Sequence, residues 1–182
     1  MFTRRQLLKA GLAGGAVLVL ARAAYGPLSP GPVAPDDPAY RYAFLGPKDR
    51  TLLSAIVPVM LDRALPSEGT ARSAAVVEVV RGVDVAVSGL PPSVQEEVRQ
   101  LFGLLGFPVA RRLVAGVSAP WLEAGPESIA GFLERWRASR FALLQSAYQA
   151  LHQLILAAWY GNPASWPATG YSGPPSLERQ GA

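Results

Sequence analysis

The chain has 182 residues, a formal net charge of +4, no cysteine and one histidine. That length suits one domain with a real core. The missing cysteines exclude thiolate metal sites, iron–sulfur clusters, covalent c-type haem and disulfides, and the lone His152 excludes a multi-histidine metal site. No Gly-x-Gly-x-x-Gly turn follows a strand and no Gly-x-x-x-x-Gly-Lys loop is present, so no cofactor is expected in this chain.

Thr3-Arg4-Arg5-Gln6-Leu7-Leu8-Lys9 opens the chain, followed by an apolar run from Ala10 to Ala21 and the small-x-small triplet Ala21-Arg22-Ala23. A basic start, a short apolar middle and a small-residue end define a removable export signal over residues 1–23, with Ala21 and Ala23 at the cleavage site. The apolar run is too short to cross a bilayer comfortably. Its opening closely resembles a twin-arginine translocation signal, Ser/Thr-Arg-Arg-x-Phe-Leu-Lys, with Leu7 in the Phe position. The resemblance implies that Arg4 and Arg5 engage the twin-arginine translocase and that the destination is the periplasm. That route carries folded proteins, commonly because they hold a cofactor. With no cofactor site evident here, the simplest resolution is that the leader exports a folded partner. An ordinary secretory leader with two adjacent arginines is the alternative. Four of the 17 basic residues lie in this leader, leaving 13 basic against 13 acidic residues beyond it. A nucleic-acid or anionic-lipid role thereby loses its main support.

Residues 24–46 are rich in proline and read as an extended linker, whose aromatic end, Tyr40 to Leu45, is expected to pack on its own domain rather than on a partner. A helical domain is predicted over residues 47–161. Its first helix starts at Gly46-Pro47, with Asp49 near the positive end of the helix dipole, and runs to about Leu65 unless Pro58 ends it early. Residues 71–88 hold many valines that favour a strand, but their length without a turn signal and their helical company predict a helix. Ser93-Val94-Gln95-Glu96 reads as a capping box for a helix that buries Val98, Leu101, Phe102 and Leu105 and ends at Gly106. A shorter helix is predicted over Pro108 to Val114, with Arg111 and Arg112 exposed or paired. Gly116 to Gly125 is a loop carrying Trp121, and Pro126 opens a helix through Ile129, Phe132, Leu133 and Trp136. Arg137 to Arg140 is a break or a continuation. From Phe141 to Tyr160 a long helix is apolar on more than one side, which suits a central helix or one covered by another chain. His152 lies within it and reads as a core or partner hydrogen-bonding residue. The expected architecture is all-α, a small irregular helical bundle.

Residues 162–182 form a tail too rich in glycine and proline for a helix or a central strand, so it is expected to be extended. It carries Trp166 and Tyr171, which favour burial and meeting surfaces. The tail is therefore expected to lie ordered in a groove, its own or a partner's. The leader, Asp49-Arg50-Thr51-Leu52-Leu53-Ser54-Ala55-Ile56-Val57-Pro58, and Trp159-Tyr160-Gly161-Asn162-Pro163 with Trp166, Gly170-Tyr171 and Gly173-Pro174 resemble the small subunits of bacterial membrane-associated flavoprotein dehydrogenases, the gluconate 2-dehydrogenase subunit 3 type in particular. The resemblance implies a non-catalytic subunit that binds a large, signal-less, FAD-dependent dehydrogenase of the glucose-methanol-choline type and carries it folded to the periplasm. It also implies a multihaem cytochrome c subunit that holds the complex at the inner membrane. Trp159, Tyr160, Asn162, Trp166 and Tyr171 are then the candidate partner interface. An independent enzyme would have to draw on Asp62, Asp84, Glu96, Glu97 and Glu134, whose scatter on polar helix faces is what solubility requires. A periplasmic scaffold or binding protein with no flavoprotein partner is the third reading.

Overall fold

The computed structural model describes residues 31–67 and 69–173. Arg4, Arg5, Ala21 and Ala23 of the leader, residues 24–30 of the linker and the end of the tail from residue 174 lie outside the described residues. The fold is all-α, as expected, and no strand occurs among the described residues. Helices α1 (Pro47–Met60), α2 (Gly69–Ser88), α3 (Pro92–Gly106), α4 (Pro108–Leu113), α5 (Pro126–Arg137), α6 (Ala142–Tyr160) and the single turn α7 (Trp166–Thr169) are joined by short loops, with 3-10 turns at Trp121–Glu123 and Pro163–Ser165.

Helix α1 is the central element, touching α2, α3, α5, α6 and the Trp121 turn. Its sequence explains this: Leu52, Leu53, Ile56 and Val57 are fully buried and Thr51 and Ala55 nearly so, an apolar surface wider than one stripe. Pro47 occupies the first turn, and the Asp49 carboxylate accepts the Gly46 N–H at 2.9 Å, satisfying a donor that the helix leaves open. Pro58 falls in the last turn, and α1 stops at Met60 while Leu61 and Leu65 stay buried beyond it. The Arg72 guanidinium closes that end, donating to the Pro58 and Pro66 carbonyls and to Asp62 Oδ1.

The valine-rich segment is a helix, α2, burying Val76, Val79, Val80, Val83 and Val87. It runs against α6 in the most extensive helix pair of the fold. In α5 all four apolar residues expected to be buried are so, and their aromatic rings form a chain. Trp121 and Phe132 lie 5.7 Å apart and Phe132 meets Trp136 edge-on at 4.8 Å, contacts worth about 0.5–1.5 kcal/mol each beyond the area they bury. Their polar atoms are also used: the Trp121 and Trp136 indoles donate to the Leu105 and Val114 carbonyls at the ends of α3 and α4. Residues 138–141 break α5 from α6.

Three expectations about the elements need correction. Ser93 does not cap α3: Pro92 takes the first helical position after Pro91, so Ser93 already lies inside the helix, and Glu96 turns to Arg99 and Gln100. Arg111 is buried, 4 % exposed, with its Nε lacking a hydrogen-bond partner, whereas Arg112 is half-buried. Burial, and then the neighbouring Arg112 charge, push the Arg111 guanidinium below its ordinary pKa. Residues 163–169 of the tail are helical rather than extended, because the Asn162 side chain accepts the Ala164 N–H, Pro163 and Pro167 sit in tolerated first-turn positions, and Gly170 closes α7 in the left-handed region at φ 71°.

Candidate functional site

The strongest polar constellation is built around Asp84, on α2. Expected on a polar face, this carboxylate is 1 % exposed. Oδ1 accepts the N–H groups of Phe44 and Leu45, both at 2.8 Å, and Oδ2 accepts the Ala43 N–H at 2.9 Å and the Tyr40 hydroxyl at 3.1 Å. Burial alone would raise the Asp84 pKa, but the N–H donors of Ala43, Leu45 and Phe44 and the Tyr40 hydroxyl outweigh it and hold the carboxyl below its ordinary value. Burial and the same hydrogen bond raise the Tyr40 hydroxyl.

Further ties extend the constellation toward residue 31. Asp37 pairs with Arg81 through two bonds of 2.8 and 2.9 Å, and Asp36 pairs with Arg50 at 2.7 Å. The Ala34 N–H donates to Thr51 Oγ1 at 2.8 Å. Tyr40 and Tyr42 meet edge-on at 4.8 Å, with Arg81 over one ring and Arg50 over the other. Every bond of the set is internal to the fold, and the carboxylate is a structural acceptor. The aromatic end of the linker thus packs on its own domain, as expected.

The remaining acids expected to be available for acid–base work lie apart. Asp62 pairs with Arg72, Glu96 with Arg99 and Glu134 with Arg137, each at 2.7–2.9 Å, while Glu97 stands on the exposed side of α3. Their arginines hold the Glu96 and Glu134 carboxyls below the ordinary range. His152 is half-buried and stacks on Tyr148 at 5.6 Å. Among the described residues no group of three or more histidines and carboxylates is placed to hold a metal ion. None of the described helices is long and apolar enough to cross a membrane.

The five residues proposed from sequence as a partner interface divide. Trp159 is 5 % exposed and belongs to the core, whereas Tyr160 and Tyr171 are about half exposed. The half-buried Trp166 donates its indole N–H to the Tyr160 carbonyl at 3.0 Å and meets Tyr171 edge-on at 5.3 Å. The tail therefore folds back on the end of α6. Asn162 faces a cleft of about 490 Å³ between α2 and α6, lined also by Tyr40, Glu78 and Arg81. Tyr160, Trp166 and Tyr171 thus make an aromatic knot at that end, with Tyr160 and Tyr171 exposed and Trp166 half-buried. Sequence reasoning missed Asp84 as a hub, although its spacing from Val80 and Val87 places it on the buried stripe.

No protein-family model, curated protein or solved structure matches the chain.

Proposed function

We propose that the chain is the non-catalytic small subunit of a flavoprotein dehydrogenase. It binds a large FAD-dependent subunit that lacks its own signal, supports its folded state and carries it through the twin-arginine translocase to the periplasm. A multihaem cytochrome c subunit completes the complex at the inner membrane. The observation that carries this reading is the leader: Thr3-Arg4-Arg5-Gln6-Leu7-Leu8-Lys9 follows the pattern used for folded cargo, on a chain without a cofactor motif of its own. The likeness of Asp49–Pro58 and Trp159–Pro163 to small dehydrogenase subunits adds the identity of the cargo. The aromatic knot of Tyr160, Trp166 and Tyr171, with its two tyrosines exposed, suits a docking edge, because such residues bury large rigid area at little entropic cost.

The test is a pull-down of the tagged chain from the periplasm, with the eluate read for flavin absorbance and for a larger polypeptide. A flavoprotein is expected, and it should stay in the cytoplasm when Arg4 and Arg5 are changed to lysine. Elution of the chain alone and colourless sinks the reading and leaves a periplasmic scaffold. The Trp166→Ala, Tyr171→Ala pair is expected to lower flavin recovery, and undiminished recovery removes the knot from the interface.

A further inference from the structure

From Phe141 to Leu177 the sequence contains no lysine, arginine, aspartate or glutamate. Yet Leu143, Gln145, Ser146, Gln149, Gln153 and Tyr160 are exposed along α6. A helix facing water ordinarily carries charge on its outer side, and depletion of charge is the compositional mark of an interface core. Beside this helix lies a groove of about 390 Å³ between α3 and α6. Val98, Leu101, Trp136 and Ala147 line it, and Leu104 and Leu143 stand at its edge, 43 % and 79 % exposed. Leu143 is the most exposed large apolar side chain among the described residues.

The charge pattern says what fits there. Glu97 is the one charged residue lining the groove, and it makes no ion pair or side-chain hydrogen bond among the described residues. Glu96 beside it is already matched by Arg99. A second copy packed through the same two helices is a poor complement, because α6 has no lysine or arginine to offer, its half-buried His152 stacks on Tyr148, and the only arginine of α3 is that same Arg99. An extended segment is also a poor complement. Both walls are helices with internally paired backbones, so a strand would bury unpaired N–H and C=O groups, whereas a guest helix satisfies its own.

We propose that the α3/α6 groove receives an amphipathic helix of the flavoprotein partner, its apolar stripe over Leu101, Leu104 and Leu143 and a lysine or arginine beside the stripe paired with Glu97. This rests on the carrier reading above and adds a second contact surface to the aromatic knot.

The test uses the full tagged chain in the cell that makes it, with photoreactive benzoylphenylalanine in place of Leu143, and with Leu143→Asp and Glu97→Lys as separate variants. Illumination is expected to join position 143 to the flavin-bearing polypeptide, at a peptide with apolar residues three and four apart and an adjacent base. Leu143→Asp is expected to lower recovered flavin about tenfold, as loss of an interface anchor does. Glu97→Lys is expected to lower it about threefold, with recovery when the base in the joined peptide is changed to glutamate. Leu143 is exposed in the free chain, so an unchanged thermal midpoint certifies the fold of the variant. Flavin recovered undiminished with Leu143→Asp overturns the groove and leaves the carrier reading standing. If the unaltered chain brings down no flavoprotein, the carrier reading falls and the cross-link alone decides. An adduct with any other polypeptide then overturns the flavoprotein helix as the occupant of the groove. No adduct, or one of twice the chain's own mass, overturns it.

Discussion

Asp84 decides how residues 40–45 are held, because it is the common acceptor of three consecutive backbone N–H groups. In Asp84→Asn the amide nitrogen is best tolerated at the Oδ2 position, where the Tyr40 hydroxyl turns to accept from it. The Ala43 N–H then faces a donor. One buried group left unsatisfied costs about 1–3 kcal/mol, the loss expected in urea unfolding at neutral pH. The pH dependence has a definite sign. The folded pKa of Asp84 is depressed, so its stabilisation is fully present above the unfolded value of about 3.9 and is lost as pH falls through the lower folded value. The variant should lose that part of the acid sensitivity; an identical acid profile for both proteins contradicts the assignment. The residue was legible in its spacing from Val80 and Val87, but residue type outweighed position, since a buried aspartate is rare unless its partners are known. Those partners are backbone groups of the linker, 39 to 41 positions away, which no local pattern announces.

Among the elements, the pairing of α2 with α6 depends on Gly82. A β-carbon there would lie 2.9 Å from Ala158 Cβ and 3.2 Å from Ala158 Cα, atoms of a helix that cannot turn aside. Gly82→Val is therefore expected to force the two helices apart and cost about 1–3 kcal/mol of stability, measured as a lower urea midpoint. A midpoint equal to that of the unaltered chain would show that the pair can slide to make room. Helix existence was legible up to Tyr160 but not in the tail, where Trp166–Thr169 was expected to be extended; the apolar spacings of α1, α3, α5 and α6 name most of their buried residues. The valines of α2 mislead a reading by propensity and not one by length, because tertiary packing decides between strand and helix in such runs. Element ends were less legible. At Pro92 the proline preceded the expected Ser93 cap, and after Gly161 the prolines served short helical turns by sitting at their starts.

For the whole molecule, the all-α class was legible in the sequence, but not the groove between α3 and α6, since a groove arises from where two stripes fail to meet. The fastening of the N-terminal segment has a mechanical consequence. Its ties follow one another from residue 34 inward: Ala34 to Thr51, Asp36 to Arg50, Asp37 to Arg81, and last the Asp84 set. Tension that reaches Ala34 therefore loads the Thr51 tie before the next, a peeling geometry in which each yields at low force. At Asp84 four bonds, from Tyr40, Ala43, Phe44 and Leu45, converge within six residues on one buried carboxylate, and behind them α1 enters the core. A chain pulled from its N-terminus in an optical trap should lengthen first in small reversible steps and then meet a firm stop before the bundle opens. A single opening event without those steps would mean that the segment and the bundle give way together. Built this way, the segment behaves as a drag line with a shock absorber: it pays out under a tug on its leading end while the helices behind it remain assembled.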